Sequence, residues 1–392
     1  MLKVLIVAET YPFPEYRNGL AKINANLLTQ NPYYQAELLC IRDTETDGDE
    51  KAGIHQLPQR KAQSSLIRAT QYLSSVLPMG ALKSKPNFEA MAGFIRQHHS
   101  RFDVIHLSSS YLAGLIDYLP KNVAEKAILF AIDSVSLFWR RRMEAERLPL
   151  KRAIFRQEYW RNAHHEKKFY PRFRKTVFVS PVDANLAATL APSANCISIP
   201  NGVDINYFRT DTSARGSGIV FTGDLSYAPN QDAADFLLDE IFPRIPSELA
   251  PHLYLVGQRP SSRLAALKRP DVTVTGFVDD LRPYLENSAI YVSPLRFGSG
   301  IKNKVLEAMA MSRVVIGTPV SFEGIECRDG EDCIVVAPDP EQFADSIVQA
   351  LKDTGLQKNI SRRARALVEE KYSWDSIRRA YGDIYASSTA HR

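Results

Sequence analysis

Short apolar runs, rich in β-branched residues or leucine, recur along this chain with helical stretches between them, and that alternation constrains its fold more than any other feature. A first series occupies residues 3–7, 36–41, 104–107, 127–132, 176–179 and 196–199. Runs of this length are strand-sized, and helices interposed between strands call for parallel pairing with helices covering the sheet. The series halts at Pro200-Asn201-Gly202, a turn signal, and a polar stretch follows to Gly218. A second series resumes at 219–222, 253–256, 272–275, 290–292 and 314–316. The expected class is therefore α/β, with two doubly wound, Rossmann-like domains at 1–200 and 206–372. Their length suits the size of ordinary domains in a 392-residue chain. Two such sheets facing across a cleft hold ligands beyond the carboxyl ends of their strands. After Pro338 two helical stretches run to Tyr372, and a last one from Trp374 is amphipathic enough to pack on a neighbour.

Composition excludes several classes. Apolar residues at 45% and charged residues at 24% are ordinary for a globular protein, and no tract is of low complexity. The opening run, 2–8, is too short for a signal-peptide core, and no run approaches the roughly 18 apolar residues of a spanning helix. Any membrane contact is expected to be peripheral. Cys40, Cys196, Cys327 and Cys333 lack metal-ligand spacing and read as free thiols in a reducing compartment. The net charge of +5 is uneven: residues 138–175 carry thirteen Lys or Arg against four Glu. Trp139, Phe155, Tyr159, Trp160, Phe169, Tyr170 and Phe173 are interleaved with those cations. A charge run is usually a solvated helix face, but aromatic anchors among cations suit a helix lying on anionic headgroups. Nucleic-acid binding ranks lower, since no recognition motif accompanies the patch.

The most informative stretch is Ser293-Pro-Leu-Arg-Phe-Gly-Ser-Gly-Ile-Lys-Asn-Lys-Val-Leu-Glu-Ala-Met-Ala. An apolar strand ends in a glycine loop that opens into a helix. Free N–H groups and the macrodipole at such a helix start make an anion site, to which Lys302 and Lys304 add full charge. Glu307, three residues beyond Lys304, shares its face and is placed to accept bonds from ribose hydroxyls. Together these residues describe a nucleotide diphosphate cradle. The bland alternative is a glycine loop with two solvated lysines. A dinucleotide fingerprint would need a third glycine, and a P-loop would need Gly-Lys-Ser or Gly-Lys-Thr.

With this cradle in place the chain resembles glycosyltransferase family four, the large retaining family with the GT-B fold. The likeness extends through the first-strand region with Gly19, Ile199-Pro-Asn-Gly-Val-Asp-Ile-Asn-Tyr-Phe, Phe221-Thr-Gly-Asp, Leu255-Val-Gly, Val274-Thr-Gly-Phe-Val-Asp-Asp-Leu and the cradle ending in Leu306-Glu-Ala-Met-Ala. It is most similar to the sugar transferases of exopolysaccharide gene clusters. The resemblance implies a last helix, 374–386, that returns to the N-terminal domain. It also implies that Glu307 binds the donor ribose and that the backbone of Gly276, Phe277 and Val278 meets the nucleobase. Gly298, Ser299, Gly300 and Ile301 would line the donor sugar and phosphates, and the loop before Gly19 would close on the diphosphate. His106 and Asp133, each ending an apolar run, are the catalytic candidates of the first domain.

Three positions depart from the family pattern. Ser299 stands where most members have a glutamate, and Gly223-Asp-Leu-Ser-Tyr-Ala-Pro-Asn replaces a common basic pair, which leaves Lys302, Lys304 and Arg296 to neutralise the diphosphate. Ser108 stands where many members have a cleft histidine. His106 reads equally as a structural histidine, and Asp133 equally as the N-cap of the next helix. Asp47-Gly-Asp49 lies in an acidic stretch, 43–50, and is read as a solvated loop rather than a metal motif. No metal and no cofactor are expected, only a nucleotide sugar as substrate. The expected activity is retaining transfer of a sugar to a lipid-linked or saccharide acceptor, at the inner face of the cytoplasmic membrane. The competing functions are a nucleotide-sugar 2-epimerase, which turns over donor without acceptor, and a noncatalytic scaffold, which binds no donor.

Overall fold

The computed structural model describes residues 1–13, 19–42, 53–58, 75–146, 148–210, 216–249, 251–298 and 300–389. Asp47-Gly-Asp49, Ser299 and the loop immediately before Gly19 lie outside them. The chain divides into two compact units, Met1–Pro200 with Ile377–Arg392, and Asn201–Ser376.

The first unit holds a seven-stranded sheet: β1 (Leu2–Ala8), β2 (Tyr34–Ile41), β3 (Ile54–Leu57), β4 (Val104–Ser108), β5 (Ala127–Ile132), β6 (Thr176–Phe178) and β7 (Cys196–Ser198), in the order β3-β2-β1-β4-β5-β6-β7. The pairings are parallel. Helices cover both faces of a parallel sheet, so its central strands read as unbroken apolar runs rather than alternating ones. Val4 to Val7 are fully buried for that reason. On one face Leu5, Val7, Ile105, Leu107 and Leu129 pack with Met91 and Ile95 of the helix Phe88–His98. On the other, the closing helix Trp374–Thr389 lays Tyr381 and Tyr385 against the sheet, with Tyr34 and Tyr385 rings 5.0 Å apart. Fully burying a large apolar side chain contributes roughly 1.5–3 kcal/mol, so this seam is a sizeable share of the unit's stability. Arg174 and Lys175 complement the carboxyl end of that helix, donating to the Ser388 carbonyl and the Ser387 hydroxyl.

The second unit holds β8 (Gly218–Thr222), β9 (Leu253–Val256), β10 (Val272–Val274), β11 (Ser288–Ser293), β12 (Val314–Gly317) and β13 (Ile334–Val335), parallel and ordered β10-β9-β8-β11-β12-β13. In both sheets the order reverses once, between β1 and β4 and between β8 and β11. Loops leaving adjacent strands on either side of such a reversal diverge and open a crevice at the carboxyl edge. The sequence pattern missed β3 and β13. Both are short edge strands, half-buried throughout, and β3 carries His55 and Gln56, so neither shows an apolar run.

The cation-rich segment folds as two helices, Val135–Ala145 and Pro149–Phe169, packed on one another. It is not uniformly a surface. Glu158, Arg161, His165 and Glu166 are buried, whereas Leu148, Leu150, Ile154 and Trp160 are exposed. Arg142 stacks on the rings of Trp139 and Phe155.

Candidate functional site

The crevice between β8 and β11 collects the cradle residues. β11 ends at Ser293, whose carbonyl accepts from the Ser321 hydroxyl, while the Leu295 carbonyl accepts from Thr318, so the base of the following loop is pinned from β12. Gly300 then adopts φ 68°, in the left-handed region that side chains avoid, and this turns the chain into the helix Asn303–Ala310. Lys302 is the N-cap residue, buried, with its ammonium donating to the Gly300 carbonyl. Asn303 is anchored from the turn at the unit's start, where the Asn201 amide donates to its side-chain oxygen at 3.0 Å.

Lys304 reaches across the crevice to the loop after β8. Its ammonium donates to the Asn230 side-chain oxygen, lies 5.3 Å from the centroid of Phe221, and sits 2.9 Å from where a Cβ on Gly223 would be. Any residue but glycine at 223 would displace it. Asn230 is held in turn by the Asp224 carbonyl at 2.9 Å. Burial first, and then the charge of Lys302, push the Lys304 ammonium down to about 7, against the pull of Glu307 and Asp224. The nearby carboxylates of Glu307 and Asp224 therefore do not offset the cost of charging Lys304 in this setting. Glu307 follows one turn later, half-buried on the same helix.

The loops after β9 and β10 emerge at the same carboxyl edge. Gly257 N–H donates to the Thr275 hydroxyl, which itself donates to the Gly276 carbonyl. Gly276 has φ 101°, Val278 is half-buried, and Phe277 presents its ring to solvent, 68% exposed. Glu307, Lys302, Lys304, Gly298, Gly300 and Ile301 therefore share one loop and helix, with Gly276 to Val278 farther along the edge.

Other candidates are placed differently. Arg296 turns to the helix Ala228–Phe236, paired with Asp232 and stacked 4.8 Å over Phe236, so its charge already has a carboxylate partner. Gly19 heads the helix Gly19–Leu28 with open space where a Cβ would point, so packing does not require glycine there. His106 does not reach a crevice. It lies in the middle of β4, fully buried, with Nδ1 2.7 Å from the Tyr385 hydroxyl and the rings of Phe130, Tyr381 and Tyr385 around it. Burial pushes it down to about 3, so it is neutral and unsuited to proton transfer at ordinary pH. Of the two readings of His106, its burial and its bond to Tyr385 support the structural one.

Asp133 is not the N-cap of the following helix. That role falls to Ser134, whose hydroxyl accepts from the Leu137 N–H. Asp133 follows Ile132, a β-branched residue at φ 69° and hence strained. Beside it the Glu166 carboxylate accepts from the Ser136 N–H at 3.0 Å and from its hydroxyl at 2.6 Å, and Asp183 accepts from the Ser134 N–H at 2.8 Å. Burial pushes Glu166 up to about 7, against the Ser136 bonds. Sequence reasoning found neither this buried acidic pair nor Asn230, since both depend on contacts between distant segments. The first unit also has a cavity of about 530 Å³, floored by Leu77, Phe88, Gly114 and Phe169 and edged by exposed Lys85 and Lys168. Among the described residues no helix is long and apolar enough to cross a membrane, and no His, Cys, Asp or Glu cluster has metal-holding geometry.

Two doubly wound parallel sheets define the GT-B class, and solved proteins share this fold across the whole chain. Anabaena Alr3699/HepE in complex with UDP superposes with a TM-score of 0.67 at 14% identity, covering 99% of this chain and 100% of that one. WaaG, a glycosyltransferase involved in lipopolysaccharide biosynthesis, gives 0.65 at 15% identity, covering 97% and 99%. Residues 216–353 match the family described as Glycosyl transferases group 1. A Klebsiella pneumoniae relative, an uncharacterized 44.6 kDa protein in cps region, is 20% identical over 95% of this chain and 97% of its own length. The matched domain and the shared fold together support glycosyl transfer.

Proposed function

We propose that this protein is a retaining, metal-independent glycosyltransferase of the family-four type, moving a sugar from a nucleotide diphosphate sugar to a lipid-linked or saccharide acceptor in surface polysaccharide biosynthesis. The observation that carries this reading is Lys304, which reaches from the first turn of the helix Asn303–Ala310 to Asn230 beside Gly223, with Lys302 at the N-cap of the same helix. HepE was solved with UDP and with UDP-glucose, which supports a nucleotide sugar as donor. The cps region of the Klebsiella relative and the lipopolysaccharide role of WaaG support a surface glycan as product.

In this reading the two lysines and the helix start stabilise the charge that builds on the departing diphosphate, the place where a fixed cation lowers a barrier most. Glu307 accepts from the ribose, and the backbone of Gly276 to Val278 meets the base. The acceptor approaches the face the diphosphate leaves, a leaving-group oxygen takes its proton, and configuration at the anomeric carbon is retained. A thermal-shift series with nucleotide diphosphates and their sugars tests the donor site, because a ligand that binds only the folded state stabilises it with occupancy. A folded protein that none of them stabilises would sink the reading.

The same proposal places the protein on the cytoplasmic face of an anionic membrane through residues 138–175. Exposed Leu148, Leu150, Ile154 and Trp160 among Arg140, Arg141, Lys151 and Arg152 supply apolar insertion beside charge, about 1 kcal/mol for each cation near the surface. Replacing Arg140, Arg141, Arg142, Lys167 and Lys168 by Gln is expected to release the protein from anionic vesicles in flotation while transfer to a soluble acceptor continues. Equal flotation with neutral and anionic vesicles would remove the electrostatic part.

A further inference from the structure

The loop between β12 and β13 carries a feature that the donor site does not use. The sulfurs of Cys327 and Cys333 lie 3.2 Å apart. The backbone between them is tied in place: Gly330, at φ 72°, reverses the chain, and its N–H donates to the Cys333 carbonyl at 2.9 Å. Glu331 and Asp332 N–H both donate to the Arg328 carbonyl, at 3.1 and 3.0 Å. The Asp332 carboxylate accepts from the Arg328 N–H at 3.1 Å, and Asp329 accepts from the Val335 N–H at 2.8 Å. A loop so heavily bonded holds its two thiols in register without help from either side chain. Bond formation requires the sulfurs to close by roughly 1.2 Å, to the ~2.0 Å of a disulfide.

The two thiols are unequal. Cys333 is fully buried and Cys327 only partly. The hydrogen bond to Cys327, then burial, push the Cys333 thiol far above its ordinary range, so Cys333 stays protonated and Cys327 is the sulfur that solvent reaches. Cys40 and Cys196 sit in β2 and β7 of the other unit.

We propose that Cys327 and Cys333 form a redox modification site, converted by a peroxide to an intramolecular disulfide and restored by a dithiol. In the first step the Cys327 thiolate attacks one peroxide oxygen, the O–O bond breaks, and the second oxygen leaves as water after taking the proton that Cys327 gave up. Cys327 is then a sulfenic acid. In the second step the Cys333 sulfur attacks the Cys327 sulfur, the S–O bond breaks, and the hydroxide leaves as a second water with the Cys333 proton. Two thiols together lose two electrons and two protons, and the peroxide gains them. Reversible pairs of this kind are the usual disulfides of a reducing compartment. The loop is also joined to the segments where the chain enters and leaves the second unit. The Glu326 N–H donates to the Tyr372 hydroxyl at 2.7 Å, and the Tyr372 carbonyl accepts from the Val203 N–H at 2.8 Å. Cross-linking therefore stiffens the anchor of those segments.

The test uses the full chain, treated with hydrogen peroxide in small excess, then unfolded in guanidinium, where the thiols buried in the fold also react, blocked with N-ethylmaleimide and digested without reductant for mass spectrometry. The expected result is a Cys327–Cys333 cross-link that removes two of the four maleimide-reactive thiols, all four returning after dithiothreitol. Cys333→Ser is expected to leave a Cys327 sulfenic acid that dimedone traps, and Cys327→Ser to leave Cys333 reduced at the same dose. Oxidation of Cys40 or Cys196 ahead of Cys327 would overturn the proposal, as would Cys327 advancing to sulfinic acid with Cys333 still reduced. The wild-type peptide map decides the matter even if a serine variant fails to fold.

Discussion

At the β8/β11 switch point, the segments that follow neighbouring strands bring Gly223 and Asn230 up to Lys304, and burial with the charge of Lys302 pushes its ammonium down to about 7. At the β1/β4 switch point of the other sheet the strand order is the same, but Ser109 and Ser110 follow β4 in place of lysines, and the histidine is in the strand itself, sealed by tyrosines. Strand order thus positions a crevice without supplying its chemistry. The chemistry depends on whether a polar side chain falls in the loop beyond the last paired residue or two positions before it, under whatever covers the sheet.

The largest effect that sharpens this contrast is expected from Lys304→Ala. Removing a cation that acts mainly on the departing diphosphate costs about 2–4 kcal/mol of barrier, seen as a fall in turnover with little change in donor KM. Retained turnover would break the contrast, because Lys304 would then add nothing that distinguishes the second switch point from the first.

His106→Ala is the opposite experiment. It leaves a cavity against Phe130 and Tyr381 and is expected to lower unfolding free energy by about 2–3 kcal/mol while turnover per folded molecule persists. The pH dependence has a definite sign. The folded value, about 3, lies below the ordinary 6.5, so the contribution of His106 is complete above 6.5 and is lost as pH falls toward 3. The alanine variant should lose less stability than wild type across that window in urea titrations. A loss of turnover at full stability would return His106 to catalysis.

Glu307→Gln is expected to weaken donor binding about tenfold, the scale of one charge-assisted hydrogen bond, without changing the melting temperature. Calorimetry with a nucleotide diphosphate measures it, and an unchanged Kd would remove Glu307 from the ribose.

The smallest effect is a proton count. At pH 8 Lys304 is mostly neutral, so a diphosphate that pairs with it draws a fraction of a proton from buffer, and affinity declines as pH rises through about 7. Binding enthalpies in buffers of different ionisation heat report the uptake. Uptake that survives in Lys304→Met would assign it to another group.

Much of this was legible in the sequence, and what was not has a common cause. Central parallel strands are buried on both faces and announce themselves as apolar runs, whereas β3 and β13 are half-buried edges with no such signal. The glycine loop, the two lysines and Glu307 could be grouped because they are contiguous in the sequence. Asn230 was not legible, being 74 residues from the lysine it holds. The pairing of Arg296 was not, because its partner, Asp232, is 64 residues away, nor was the cover of His106, which comes from a residue 279 positions later. Local pattern tells where a strand ends but not what another segment will lay across it.

Because the closing helix is translated after the whole second unit, synthesis sets an order of events. The second unit, contiguous from Asn201 to Ser376, has its complete complement of strands before Tyr381 and Tyr385 leave the ribosome. Until they do, the side of the first sheet around Tyr34 and His106 is a bare apolar surface attached to a finished neighbour. Domains fold as units during synthesis, and exposed apolar surface in a partly made chain is where aggregation begins. The nascent first unit is therefore the part of this chain that a chaperone would be expected to hold, and the arrival of two tyrosines is the event that releases it.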